Sequence, residues 1–356
     1  MTWQATLHGD SVSWLLDHNS PDVRYAALRE LTESPDAAAL AAARAEAHRS
    51  GPIADIVDAM DAEGYWVQPG PGYGPKYHST VWALILLGQL GASAAEDERI
   101  ARACTYYLDH AMHPYGQIST GRGPAGTIDC LQGNLCAALL DMGCDDPRLD
   151  LAFDWMARTV TGDGLAPVTE KKAEMRFYAY KSGPDFACGA NSNLSCGWGA
   201  AKVLLAFAKL PASRRTPRIE AAITRSVEFL LRIDPATAAY PMPEGMKPNR
   251  AWWQFGFPVF YIGDVLQIAE ALARLGYGND PRLAPTLALI RNKQDAAGRW
   301  PQEYNYGSKT WGDFGRRGLP SPWVTLRALR TLKAADERRD MHPRYTAPEA
   351  TAPTSP

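Results

Sequence analysis

An excess of charge of either sign is missing from this 356-residue sequence, in which 37 Lys and Arg stand against 39 Asp and Glu. The net charge of -2 gives no electrostatic footprint for a phosphate backbone, so nucleic acid is not an expected partner. Long apolar runs are missing too. The most continuous one, Val81 to Leu87, is far short of the roughly 20 residues that a membrane span needs, and no transmembrane segment is expected. The first residues carry no basic start followed by an apolar run, which predicts a cytoplasmic, reducing setting without disulfides for the six cysteines. Cys104, Cys136 and Cys144 fall on or beside apolar helical stripes and read as small buried hydrophobes. Cys188 and Cys196 lack the spacing of a metal knuckle. The phosphate-cradling string G-x-x-x-x-G-K-[ST] and the nucleophile elbow G-x-S-x-G are both absent, so no cofactor and no metal are expected.

What is present is apolar material for a core, at 46% of residues, organised as a repeat. Asp146-Pro147-Arg148-Leu149 returns 134 residues later as Asp280-Pro281-Arg282-Leu283, and Gly164 returns as Gly298 at the same offset. Gly143 and Gly276 precede the two copies. An apolar run ends at Leu139 and Leu140, Gly143 can close it in a left-handed cap, and Asp146-Pro147 supplies an N-cap and a proline for the next helix. The unit is therefore helix, tight turn, helix. The second helix is expected to bury Leu151, Phe153, Trp155 and Met156 in one copy and Leu283, Leu287, Leu289 and Ile290 in the other. A turn glycine follows each, and Gly64, Gly116 and Gly164 lie 52 and 48 apart, with room for one more unit built on 216 to 233. A period of about 50 residues predicts one helical pair per unit.

The Gln294 to Trp300 stretch, with Gly298, resembles the glutamine-tryptophan repeat of squalene-hopene cyclases. The helix-pair organisation is similar to the α/α toroid of those cyclases and of protein prenyltransferase β subunits. The resemblance implies an all-α fold, a ring of helical pairs over residues 51–338. Residues 1–50, with helical patterns at Trp14-Leu15-Leu16 and Pro21 to Leu28, are expected to pack on the outside of that ring. Residues 339–356, rich in Pro, Thr and Ala, read as a disordered tail.

In such a ring the inner helices run parallel, so their first turns converge on one mouth of the central cavity. Those first turns are read at Tyr77 to Trp82, Asp129 to Asn134, Asn191 to Trp198, Phe255 to Asp264 and Pro320 to Trp323. Tyr77, Trp82, Cys130, Asn134, Asn193, Trp198, Trp253, Phe257, Tyr261 and Trp323 are the expected substrate-binding residues. Aromatic faces there would line an apolar cavity and stabilise positive charge. His78 is the only histidine in a first turn and a candidate acid or base. Asp129 reads as an N-cap or an acid. Asp264 is placed about two turns into an apolar helix, where burial would raise its pKa and make it a proton donor. Cys196 is a candidate acid or base, as implied by analogy with the α/α barrel of linalool dehydratase-isomerase.

The resemblance implies catalytic motifs that are not found. The Asp-x-Asp-Asp acid of class II cyclases does not occur, and Asp145-Asp146 repeats as a helix cap rather than as a diphosphate-magnesium motif. The Asp-x-Cys zinc pair of prenyltransferases is absent, since Asp129 and Cys130 are adjacent. Cys130, Cys196 and His78 are the one set that could converge on zinc. Lys76, Lys202, Arg250 and Lys309 are read near the mouth. The expected function is a terpene cyclase-like enzyme taking a small apolar, isoprenoid-like substrate through cyclisation, isomerisation or elimination. A noncatalytic binding or scaffold protein on the same fold is the alternative, and a zinc prenyltransferase-like enzyme a further one.

Overall fold

The computed structural model describes residues 2–337, so the expected disordered tail and His342 lie outside the described residues. The chain is mostly helical. Its α-helices are α1 (Ser11–Leu16), α2 (Pro21–Leu31), α3 (Ala37–Arg49), α4 (Pro52–Asp58), α5 (Thr80–Leu90), α6 (Glu98–Ala111) and α7 (Asp129–Asp141). They continue as α8 (Arg148–Thr161), α9 (Gly197–Lys209), α10 (Pro217–Leu231), α11 (Val265–Arg274), α12 (Ala284–Asn292) and α13 (Pro322–Glu337). A two-stranded antiparallel ribbon, β1 (Ala187–Cys188) and β2 (Leu194–Ser195), interrupts them before α9.

The helix contacts form a circuit. α5 packs on α7, α7 on α9, α9 on α11, α11 on α13, α13 on α2, and α2 back on α5. The N-terminal segment is thus not only an outer layer: α2 bridges α13 and α5. α6, α8, α10 and α12 pack outside α5, α7, α9 and α11. α5 is apolar nearly all round, as a helix covered on every side must be: ten of its residues from Thr80 to Leu90 are buried. α7 and α9 approach so closely that a Cβ on Gly133 would meet the Lys202 carbonyl carbon at 2.6 Å.

The repeat is visible as recurring hydrogen bonds. The Trp66 indole donates to the Ile56 carbonyl at 2.7 Å and the Trp300 indole to that of Ile290 at 2.8 Å, each ten residues back. The Trp66 and Trp300 amides donate to the hydroxyls of Thr80 and Thr325. The unit missing between 164 and 298 uses other letters. Ala238 takes the left-handed turn with φ 55°, as Gly64, Gly116, Gly164 and Gly298 do, and the Tyr240 hydroxyl donates to the Leu230 carbonyl at 2.7 Å.

A second set of repeats ties the outer helices together. Asp97, Asp146 and Asp280 each accept the backbone N–H two residues on, at 2.9 Å. The arginine there, Arg99, Arg148 or Arg282, reaches back to Asp58 on α4, Asp109 on α6 or Glu228 on α10. Arg218 makes the same link to Asp154 from a threonine-capped helix. Asp146 is therefore a cap, as its repetition predicts. Leu151 departs from the expected buried stripe of α8: it is 48% exposed, while Leu149, Ala152, Phe153 and Met156 face inward.

Candidate functional site

The first turns of α5, α7 and α9 meet at a cavity of about 480 Å³, of the size that holds a small ligand. Trp82, Cys130 with Leu131, and Gly197 with Trp198 line it from those three helices. The stretch from Ala238 to Asn249 forms another wall, with Tyr240, Met242, Met246 and Lys247, and Tyr73, Lys76, Lys181, Cys188, Cys196, Trp252 and Tyr261 complete it. Lys76, Met246 and Lys247 are exposed, so the cavity reaches the surface. Asn191 holds the wall in place by donating to the Pro241 carbonyl at 2.9 Å and to that of Ser195 at 3.2 Å.

The polar content of this cavity is lopsided. Its lining includes three ammonium groups, on Lys76, Lys181 and Lys247, and no carboxylate or imidazole among the described residues. Lys76 lies over the rings of Tyr73 and Tyr261, at 5.5 and 5.1 Å from their centroids. The Trp198 indole N–H has no acceptor among the described residues.

Thiols supply the groups able to move protons. The Cys188 and Cys196 sulfurs are neighbours, and the contact with Cys196 together with the N–H groups of Ala190 and Asn191 outweighs burial and holds Cys188 below the ordinary thiol range. The same contact, reinforced by burial, pushes Cys196 well up. Burial raises Cys130 to about 12. Asp129 lies behind them, where burial lifts it to about 7 against the hydrogen bond from the Ser182 hydroxyl.

The expected site residues thus separate into groups. Trp82, Cys130, Cys196, Trp198 and Tyr261 line the cavity. Tyr77 stands beside it, its ring 5.1 Å from Trp82 and 4.6 Å from Tyr306, its hydroxyl 3.4 Å from that of Tyr261. The others are elsewhere. Asn134 donates to the Phe260 carbonyl inside the circuit, Asn193 is exposed, and the Trp253 indole donates to the Ala236 carbonyl. Phe257 stacks on Trp323 at 4.6 Å, away from the cavity. His78 packs edge-on to Trp311, so Cys130, Cys196 and His78 do not form the zinc set. No group of three or more His, Cys, Asp or Glu side chains able to hold a metal occurs among the described residues.

Asp264 departs most from expectation. Residues 254–264 are not helical. Gly256 lies against the Tyr304 carbonyl, where a Cβ would come within 2.3 Å of the oxygen, and pairs with Tyr304 as a parallel bridge. α11 starts at Val265 with Asp264 as its N-cap, accepting from the Gln267 N–H at 3.0 Å. Both Asp264 oxygens are also held by Arg327, at 2.7 and 2.8 Å, in a buried pair. A carboxylate engaged in this way is a structural anchor rather than a free acid. Lys202, expected near the mouth, is not on the cavity either. It is fully buried, donates to the Phe260 carbonyl at 2.6 Å, and burial lowers its pKa to about 7.

Sequence reasoning left Tyr73, Lys181, Tyr240, Met242, Met246 and Lys247 out of the site, and with them Cys188, the one that bears on proton transfer. Its signal lay in the ribbon: a short Gly-Ala-Asn-Ser-Asn turn between two cysteine-bearing segments, which brings Cys188 onto the same face as Cys196.

No family profile and no curated protein matches the chain. Solved structures do: a protein from Actinoplanes at 14% identity covers 83% of this chain and 99% of its own, with a TM-score of 0.28. The type II terpene cyclase MstE from Scytonema is similar at 13% identity, over 83% of this chain and 98% of its own, with a TM-score of 0.29. A variant of MstE in complex with geranylgeranyl dihydroxybenzoate gives 14%, the same coverage and 0.29. Likenesses at such scores transfer no residue and no reaction to this chain.

Proposed function

We propose that the helical circuit is an α/α toroid whose cavity binds an apolar, isoprenoid-like molecule with an anionic head, and that the chain transfers a proton on it. The wall of Trp82, Trp198, Trp252 and Tyr261 suits the apolar body, and the ammonium groups of Lys76, Lys181 and Lys247 suit a carboxylate or phosphate head. The observation that carries the chemistry is the Cys188–Cys196 pair. One thiol is held near the thiolate and the other kept protonated, a base and an acid side by side in a cavity without a carboxylate. Cys188 takes a proton from the bound molecule and Cys196 returns one, which makes isomerisation or elimination the favoured reaction. Cyclisation started by Asp264 is disfavoured by its ion pair with Arg327.

The test is incubation of the chain in deuterated water with isoprenyl acids, diphosphates and alcohols, followed by mass spectrometry of the recovered molecules. Deuterium at carbon, lost in Cys188→Ser and Cys196→Ser, is the expected result. Binding without exchange in the wild type would favour the noncatalytic reading, for which the absence of a carboxyl acid from the cavity speaks. Exchange retained in both variants would remove the thiols from the chemistry.

A further inference from the structure

Two pairs of cysteines have neighbouring thiols, and they differ in what surrounds them. Cys104 and Cys144 join α6 to the turn after α7, with Cys104 fully buried and neither residue on the cavity. Cys188 and Cys196 are both half-buried and both line the cavity. The ribbon explains their contact. Cys188 opposes Leu194, so the residue two beyond Leu194 falls on the same face as Cys188, as its diagonal neighbour. The N–H of Cys196 donates to the Phe186 carbonyl at 2.9 Å, which extends the pairing past β2 and fixes the two backbones next to each other.

The surroundings also make the two sulfurs unequal. Cys188 precedes a 3-10 turn, Gly189–Asn191, whose Ala190 and Asn191 N–H groups point at its sulfur, and Lys181 adds positive charge nearby. Cys196 has no comparable donors beyond the Gly199 N–H and is the more enclosed of the two. A cavity-facing sulfur with backbone donors around it, beside a more enclosed partner thiol, is the arrangement of an attacking and a resolving thiol.

We propose that Cys188 and Cys196 are a reversible dithiol–disulfide couple in the cavity wall, oxidised by low-molecular-weight disulfides that enter the cavity. The Cys188 thiolate attacks one sulfur of the oxidant, whose S–S bond breaks. A mixed disulfide forms and one thiolate leaves. Cys196 gives its proton to solvent and attacks the Cys188 sulfur, expelling the second thiolate. The two cysteines are oxidised by two electrons and the small disulfide is reduced to two thiols. On the proton-transfer reading above, the same event removes base and acid together, but the couple itself does not depend on that reading.

The experiment treats the full chain with glutathione disulfide, labels remaining thiols after denaturation, and maps cross-links by peptide mass spectrometry. The labelled thiols are expected to fall from six to four, with the cross-link between Cys188 and Cys196 and full recovery on reduction. Cys196→Ser should accumulate a stable glutathione adduct at Cys188, whereas Cys188→Ser should leave Cys196 unmodified; unchanged circular-dichroism melting checks that both variants fold. Six labelled thiols after treatment, a cross-link confined to Cys104 and Cys144, or an adduct at Cys196 in place of Cys188 would overturn the proposal. None of these readouts involves the cavity's ligand, so they succeed or fail separately from the deuterium test.

Discussion

Two polar regions occupy the circuit, and they use charge in opposite ways. Between the circuit helices, Asp264 is held by Arg327, and Glu270 is held by Arg274 and Arg330; Arg330 continues to Glu30. Lys202 is satisfied by the Phe260 carbonyl, and the space left beside Glu270, Arg327 and Arg330 is about 30 Å³. At the mouth, around 480 Å³ of open volume, stand three lysines, of which Lys76 lies over the Tyr73 and Tyr261 rings, and two neighbouring thiols. Buried charge by itself therefore does not mark the site. Charge whose counterpart is missing, around a volume able to hold one, does.

The sharpest way to break this contrast is to unpair the inner network. Arg327→Met leaves the Asp264 carboxylate buried without its partner, a loss on the order of 3–5 kcal/mol, read by chemical denaturation. Trp198→Ala should by comparison leave stability nearly unchanged.

The back wall of the cavity should show in the pH dependence of stability. Asp129 has a folded pKa of about 7 against an ordinary 3.8, so the folded state keeps the proton longer than the unfolded one. Its contribution is fully present below the ordinary value and is lost as pH rises through about 7, on the order of a few kcal/mol. Asp22, also raised to about 7 by burial, adds to the same slope. Denaturation from pH 4 to 8 should show stability falling, and Asp129→Asn should flatten part of the fall.

Trp198→Ala should raise the Kd for an isoprenyl acid about 30-fold, the cost of truncating a central aromatic anchor. Fluorescence titration measures it, and an unchanged Kd would move the ligand out of this cavity. The smallest effect belongs to the repeat itself. Tyr240→Phe leaves the Leu230 carbonyl without its donor and should cost about 1 kcal/mol by denaturant melting.

The helical pairs were legible because the turns need a left-handed residue and a cap, and the glycines and Asp-Pro strings that supply them survive in several copies. The copy at Ala238 and Tyr240 was hidden because both of its signature letters had changed while the geometry had not. Asp264 was misread since an aromatic-rich stretch looks like a buried helix; close approach of Gly256 to the Tyr304 carbonyl holds it open instead. Lys202 was misread because a lysine on an apolar helix carries no mark of depth. Of the candidate site, the first turns with Trp82, Cys130, Cys196 and Trp198 were recoverable from helical register. Cys188 was not, since it comes to them through a ribbon of two residues per strand that no periodicity announces.

The central claim, that the mouth of the circuit is a binding site for an apolar anion, is tested most directly by a crystal structure with an isoprenyl acid. The account predicts density for the chain between Trp82, Trp198 and Tyr261, with the carboxylate at Lys76 or Lys181. An empty cavity at saturating acid, or the carboxylate seated away from these lysines, would contradict it.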